Sequence, residues 1–161
     1  MDTEFKGRPI EIRYRTDLLD TAGQPAHAAT FIRERLIVLD AALKRDAGEH
    51  ERILLHELFH FVWVRLGNGP RSVWEEMLRA ELAGKVRGEA GWSAEWRKAE
   101  LSDSDIANRS RKWREYCCEG FCDTGALFAG AASNELTLAR KRLSVRMAWF
   151  RRVFQDRALS I

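Results

Sequence analysis

The stretch Ile53-Leu54-Leu55-His56-Glu57-Leu58-Phe59-His60-Phe61-Val62 constrains this chain more than any other. It sets His-Glu-x-x-His inside an otherwise apolar run. On an α-helix, residues four apart stand one above the other on the same face. His56 and His60 then offer two imidazoles to one metal ion, and Glu57 sits one step round the cylinder, beside the ion without binding it. A zinc hydrolase needs that arrangement: neutral nitrogen ligands, and a carboxylate placed as general base for the water that the metal activates. The bland explanation is a pair of satisfied core histidines. It is the weaker one, because two His and a Glu on a greasy helix are costly to bury unless something pairs with them. The chain has four histidines in all, and two of them fall at this spacing.

Two histidines alone do not hold zinc; a third protein ligand is required, with water in the fourth position. No histidine follows His60, so a set of three would have to draw on His27 or His50. The other choice is a carboxylate, and the best stretch for it is Tyr116-Cys117-Cys118-Glu119-Gly120-Phe121-Cys122-Asp123-Thr124. On a helix, Tyr116, Glu119, Cys122 and Asp123 share one face. Glu119 would ligate the ion. Asp123, one turn on, would accept a hydrogen bond from a ligand imidazole and fix its tautomer. Glu75, Glu76 and Glu81 are rival third ligands, but only Glu119 brings a trailing aspartate. Cys118 and Cys122 are soft enough to bind a metal, although residues of this kind are more often small buried packers.

His-Glu-x-x-His followed downstream by Glu-x-x-x-Asp resembles the signature of the gluzincins, the glutamate-ligated zinc metallopeptidases. The two parts here are His56-Glu57-Leu58-Phe59-His60 and Glu119-Gly120-Phe121-Cys122-Asp123. The small size is similar to that of the ImmA/IrrE-type intracellular metallopeptidases. The resemblance covers these two helices and the strand before the first. It implies a zincin-like fold, one zinc per chain held by His56, His60 and Glu119, with Glu57 as general base and Asp123 behind a ligand. It also implies hydrolysis of a peptide or protein substrate, with the strand before the active-site helix (36–40) edging the cleft and pairing with extended substrate. Members of the group use a Tyr, His or Arg to stabilise the oxyanion. Tyr116 is the tyrosine nearest the motif, although it precedes the ligand instead of following it. The separation of the two motifs is long for a minimal member and leaves room for inserted helices over about 72–100. A regulatory zinc module, with latent activity or activity on a single partner, is the alternative function.

The remaining sequence implies an α+β fold in one domain, 1–161: a small, mainly antiparallel N-terminal sheet, then helices. Residues 9–15 alternate apolar and charged side chains, the period of a half-buried strand. Residues 30–33 and the branched run 36–40 read as further strands. The spacing predicts helices over about 49–66, 72–86, a short one from 92, a long one over 106–129, and a last one over 135–156. Ser93 reads as an N-cap. The last helix carries Arg140, Lys141, Arg142, Arg146, Arg151, Arg152 and Arg157 beside a stripe of Leu143, Met147, Phe150 and Phe154. Such a basic face is more simply solvated than nucleic-acid-binding, and a net charge of +3 adds no argument for nucleic acid. No run is long and apolar enough for a bilayer, so no membrane is expected. Three cysteines, two of them adjacent, make a poor disulfide framework, and the expected setting is cytoplasmic.

Overall fold

The computed structural model describes residues 3–155 and 158–161. Asp156, the expected end of the last helix, and Arg157 of its basic face lie outside the described residues. The architecture is α+β and mainly helical.

Strands β2 (Glu11–Arg15), β3 (Ala28–Phe31) and β4 (Leu36–Asp40) form one sheet in the order β2-β4-β3. A tight turn over 32–35, with Arg35 at a φ of 52°, folds β4 back antiparallel on β3. The preceding loop has already carried the chain past the place that β4 fills, so β4 slots between its predecessors and runs parallel to β2. The expected mainly antiparallel sheet is therefore mixed. The same topology corrects the expected cleft edge: β4 is the central strand, and β3 is an edge. Centrality explains the unbroken apolar run, since Ile37, Val38 and Leu39 are all buried. β2 is exposed along its whole length despite its alternating pattern. A second, two-stranded sheet joins β1 (Phe5–Lys6) to β5 (Leu159–Ser160) in parallel. A Cβ on Gly7 would meet the Ile161 carbonyl oxygen at 2.1 Å, so glycine alone fits this closure.

A 3₁₀ turn (Ala41–Arg45) leads into α1 (Ala47–Arg65), which Asp46 caps by accepting from the Glu49 N–H at 3.1 Å. Helix α2 (Asn68–Ala83) starts earlier than expected. Pro70 sits in its first turn, where its missing N–H costs no hydrogen bond. Helix α3 (Trp92–Ala99) follows with Gly91, not Ser93, at its N-cap. The long helix expected over 106–129 is two, α4 (Asp103–Ala107) and α5 (Arg111–Phe128). The break lies at Arg109, with φ 48°, and at Ser110, whose Oγ accepts from the Trp113 N–H at 3.3 Å. Helix α6 (Arg140–Phe154) ends the helical half. Among the described residues, no helix is long and apolar enough to cross a membrane.

What positions the site is the contact of α1 with α5. A Cβ on Gly125 would lie 2.4 Å from the Phe59 ring, so the glycine lets the two helices approach closely. Phe59 and Phe121 belong to an aromatic core with Trp74, Trp113, Trp149 and Phe150. Burying these rings against one another holds the two motif-bearing helices as a single rigid wall.

Candidate metal centre

His56, Glu57 and His60 on α1 and Glu119 on α5 border one cleft lying under β3, with Asp123 of α5 buried behind His56. His56 Nε2 is 3.1 Å from Glu119 Oε2, and His60 Nε2 is 3.9 Å from Glu119 Oε1. His56 Nδ1 lies 2.8 Å from Asp123 Oδ1 and donates to it, which turns Nε2 towards Glu119. Ligand atoms on a tetrahedral zinc, each about 2.0–2.1 Å from the ion, stand about 3.3 Å apart. The two separations, measured to different Glu119 oxygens, lie on either side of that value, and imidazole and carboxylate are donor types that zinc takes.

Electrostatics keep these groups ready. Burial would lower the His56 pKa, but the Asp123 and Glu119 carboxylates outweigh it and hold it well above the usual histidine value. His60 is also lowered by burial and raised more by Cys118, Glu119 and Glu57, to about 9. Burial would raise Glu119; its hydrogen bond to His56 and the charges of His60, His56 and Arg97 instead hold it well below the carboxylate range. A cation binding here would displace protons from the imidazoles, so its uptake weakens as pH falls.

A second possible third donor is present. One ligand atom each from His56, His60 and Cys122 come within 4.8 Å of one another. Cys122 is wholly buried, and burial with the neighbouring Cys118 pushes its thiol pKa well up. Glu119, by contrast, is ionised and lines the cleft. Cys118 approaches the other side of His60, with Sγ 3.5 Å from Nδ1.

The rival carboxylates are engaged elsewhere. Glu75 accepts from Arg109 at 2.8 and 2.9 Å, Glu81 pairs with Arg146 at 2.5 Å, and exposed Glu76 pairs with Arg79 at 3.3 Å. His50 bonds the Tyr14 hydroxyl at 2.8 Å, and His27 lines a neighbouring lobe. Tyr116 must be withdrawn as the oxyanion stabiliser. Its side chain is fully buried, its hydroxyl donates to Glu89 at 2.6 Å, and it lines no part of the cleft.

Three residues at the cleft were missed as site residues. Thr30 on β3 donates through Oγ1 to Glu57 Oε2 at 2.5 Å. Ser93 donates to Glu119 Oε2 at 2.6 Å. Arg97, one turn further along α3, brings Nη2 to 3.7 Å from Glu119 Oε1, and its buried Nε has no hydrogen-bond partner. The start of α3 is locked to the centre, because the Ala94 N–H donates to Asp123 Oδ2 at 3.0 Å. A Cβ on Gly91 would come 2.6 Å from Asp123 Cγ, so this approach requires glycine. Nothing in the sequence pattern pairs α3 with α5. The cleft, of about 340 Å³, is lined by Ala28, Ala29 and Thr30 of β3 on one side and by Ser93 and Arg97 on the other.

No family model matches this chain, and neither does any curated protein or any solved structure.

Proposed function

We propose that this chain is a zinc-dependent peptide hydrolase of zincin-like architecture, active on a peptide or protein substrate. The observation that carries the reading is the convergence of His56 Nε2, His60 Nε2 and the ionised Glu119 carboxylate on an open cleft, with Glu57 beside them. His56, His60 and Glu119 would hold the ion, and Glu119 is preferred to Cys122 because it borders the space a substrate enters. When bound, zinc supplies a Lewis acid that polarises the scissile carbonyl and acidifies water. Glu57 takes the proton and passes it to the leaving amine. Thr30 orients Glu57 through its hydrogen bond. Arg97 takes over from Tyr116 the role of stabilising the developing oxyanion, here with positive charge. β3, an edge strand lining the cleft, offers its free side to an extended substrate, the role expected of β4.

The test is zinc per chain by elemental analysis, for wild type beside His60→Ala, Glu119→Ala and Cys122→Ser, followed by a casein-cleavage assay of wild type and Glu57→Gln. The expected result is one zinc, lost in the first two variants and kept in Cys122→Ser, with cleavage reduced about 10²–10⁴-fold in Glu57→Gln. Zinc kept in Glu119→Ala but lost in Cys122→Ser would move the third ligand to the thiol. Absence of zinc from wild type after reconstitution would overturn the reading. Zinc without cleavage of any substrate would favour the regulatory module.

A further inference from the structure

Resting on the peptidase reading, we propose that the lobe beside Glu57 is a pocket for an aromatic or large apolar side chain of the substrate, walled by Trp92 and Trp96. The lobe holds about 600 Å³ and begins at the catalytic residues themselves, since His56, Glu57, Ser93 and Arg97 line both it and the cleft. Its size lies within the usual range of ligand pockets, about 300–1,000 Å³.

Trp92 is 62 % exposed and Trp96 36 % exposed, with ring centroids 6.1 Å apart. Two indoles left open to water at the mouth of a cavity form the kind of surface that an apolar partner covers. They are also held in place. The Trp92 N–H donates to Glu135 at 3.1 Å, the Arg97 guanidinium lies 4.2 Å from the Trp96 ring centre, and α3 is tied to Asp123 and Glu119 as described. A preorganised aromatic wall loses little entropy when a ring packs on it.

Most of the charged groups around the lobe are engaged, which favours an apolar occupant over a charged one. Arg52 pairs with Glu135 at 3.2 Å, and Asp123 and Glu57 are bound by His56 and Thr30. Asp20 accepts the backbone N–H groups of Ala22 and Gln24 at 2.8 and 2.9 Å. Ile53, Pro25, Ala26 and Ala28 supply the remaining apolar lining.

The experiment compares two peptides, alanine runs capped at both ends that differ only by one central Phe. Titration calorimetry measures their binding to the full chain carrying Glu57→Gln, and mass spectrometry reads which bonds wild type cuts. The expected result is a Phe peptide binding about tenfold or more tighter than the Ala peptide, for an aromatic ring withdrawn from water. That preference should vanish in Trp92→Ala and persist in Trp92→Phe. Wild type should cut a bond adjacent to the Phe. Equal binding of the two peptides, with cleavage intact, overturns the pocket and leaves the peptidase standing. A Phe preference that depends on Trp92, without any cleavage, sustains the pocket and overturns the peptidase. A Phe preference that survives Trp92→Ala overturns the pocket, as does failure of both peptides to bind.

Discussion

Two clusters of buried charge sit back to back in this molecule, and only one of them looks onto solvent. Behind α3, Arg146 is fully buried and reaches Glu81 at 2.5 Å and Glu89 at 2.7 Å. Lys98 and the Tyr116 hydroxyl close round Glu89 at 3.2 and 2.6 Å. Every charge in that cluster is answered within it. In front, His56, His60 and Glu119 converge on an open cleft, tied to one another and to Asp123, Ser93 and Arg97. Burial of charge is common to both, so it does not identify function. Convergence of donors on accessible space is what the metal-site proposal rests on. Arg146 shows the point from the sequence side: it reads as part of the basic face of α6, yet it is the charge the helix buries, while Arg140, Lys141, Arg142, Arg151 and Arg152 stay exposed.

The sharpest way to break the comparison is to open the closed cluster. Arg146→Met leaves Glu81 buried without its cation and Glu89 with Lys98 alone. It should cost about 3–5 kcal/mol in denaturant unfolding, because removing one partner strands the others. Zinc per folded chain should be unchanged. Loss of zinc from still-folded protein would show that the two clusters are one unit.

Glu89→Gln cuts less deeply, at about 1.5–3 kcal/mol near neutral pH for its bonds to charged partners. The cost should depend on pH. Burial raises the Glu89 pKa, but Arg146 and Lys98 outweigh it, so in the folded chain it lies below the ordinary 4.5. A depressed carboxylate contributes stability that is present above its unfolded pKa and fades as pH falls through the folded value. Wild type and Glu89→Gln should therefore converge in stability as pH falls below the ordinary carboxylate range, followed by urea titrations across the acid range. A gap that is constant with pH would mean that Glu89 matters by shape alone.

The open cluster was the more legible of the two. His56, Glu57 and His60 lie within one turn of one helix, and Glu119 with Asp123 within one turn of another, so helical period alone aligns each set. Matching the sets needs only that the two helices pack. The rest required contacts that no period encodes. The order β2-β4-β3 depends on where a loop crosses, and the pairing of β1 with β5 joins opposite ends of the chain. Tyr116 shares the helical face that carries Glu119, but the segment through Glu89 covers it, and only tertiary structure shows that. Ser93 carried the opposite lesson, reading as a cap while it serves Glu119.

Gly91→Ala tests the seam between the clusters without touching a ligand. Its methyl would fall 2.6 Å from Asp123 Cγ and push the carboxylate off His56. Loss of such a partner behind a ligand should weaken zinc about 10–100-fold, read by competition with a chromophoric chelator. Overpacking should cost about 1–3 kcal/mol of stability as well. Stability lost with zinc affinity intact would mean that Asp123 holds α3 and does nothing for the metal.

The smallest effect belongs to Thr30, and it separates positioning from holding. Thr30→Val keeps the β-branched shape on β3 and removes only the hydroxyl that donates to Glu57. Zinc content should stay as in wild type, since no metal ligand is touched. The hydrogen bond is worth about 1 kcal/mol, so kcat should fall about threefold to tenfold with KM little changed, and Thr30→Ser should restore it. A rise in KM at constant kcat, not repaired by serine, would instead assign Thr30 to the substrate-pairing edge of β3. Either result divides the open cluster into groups that bind and a group that moves a proton, a division the closed cluster has no counterpart for.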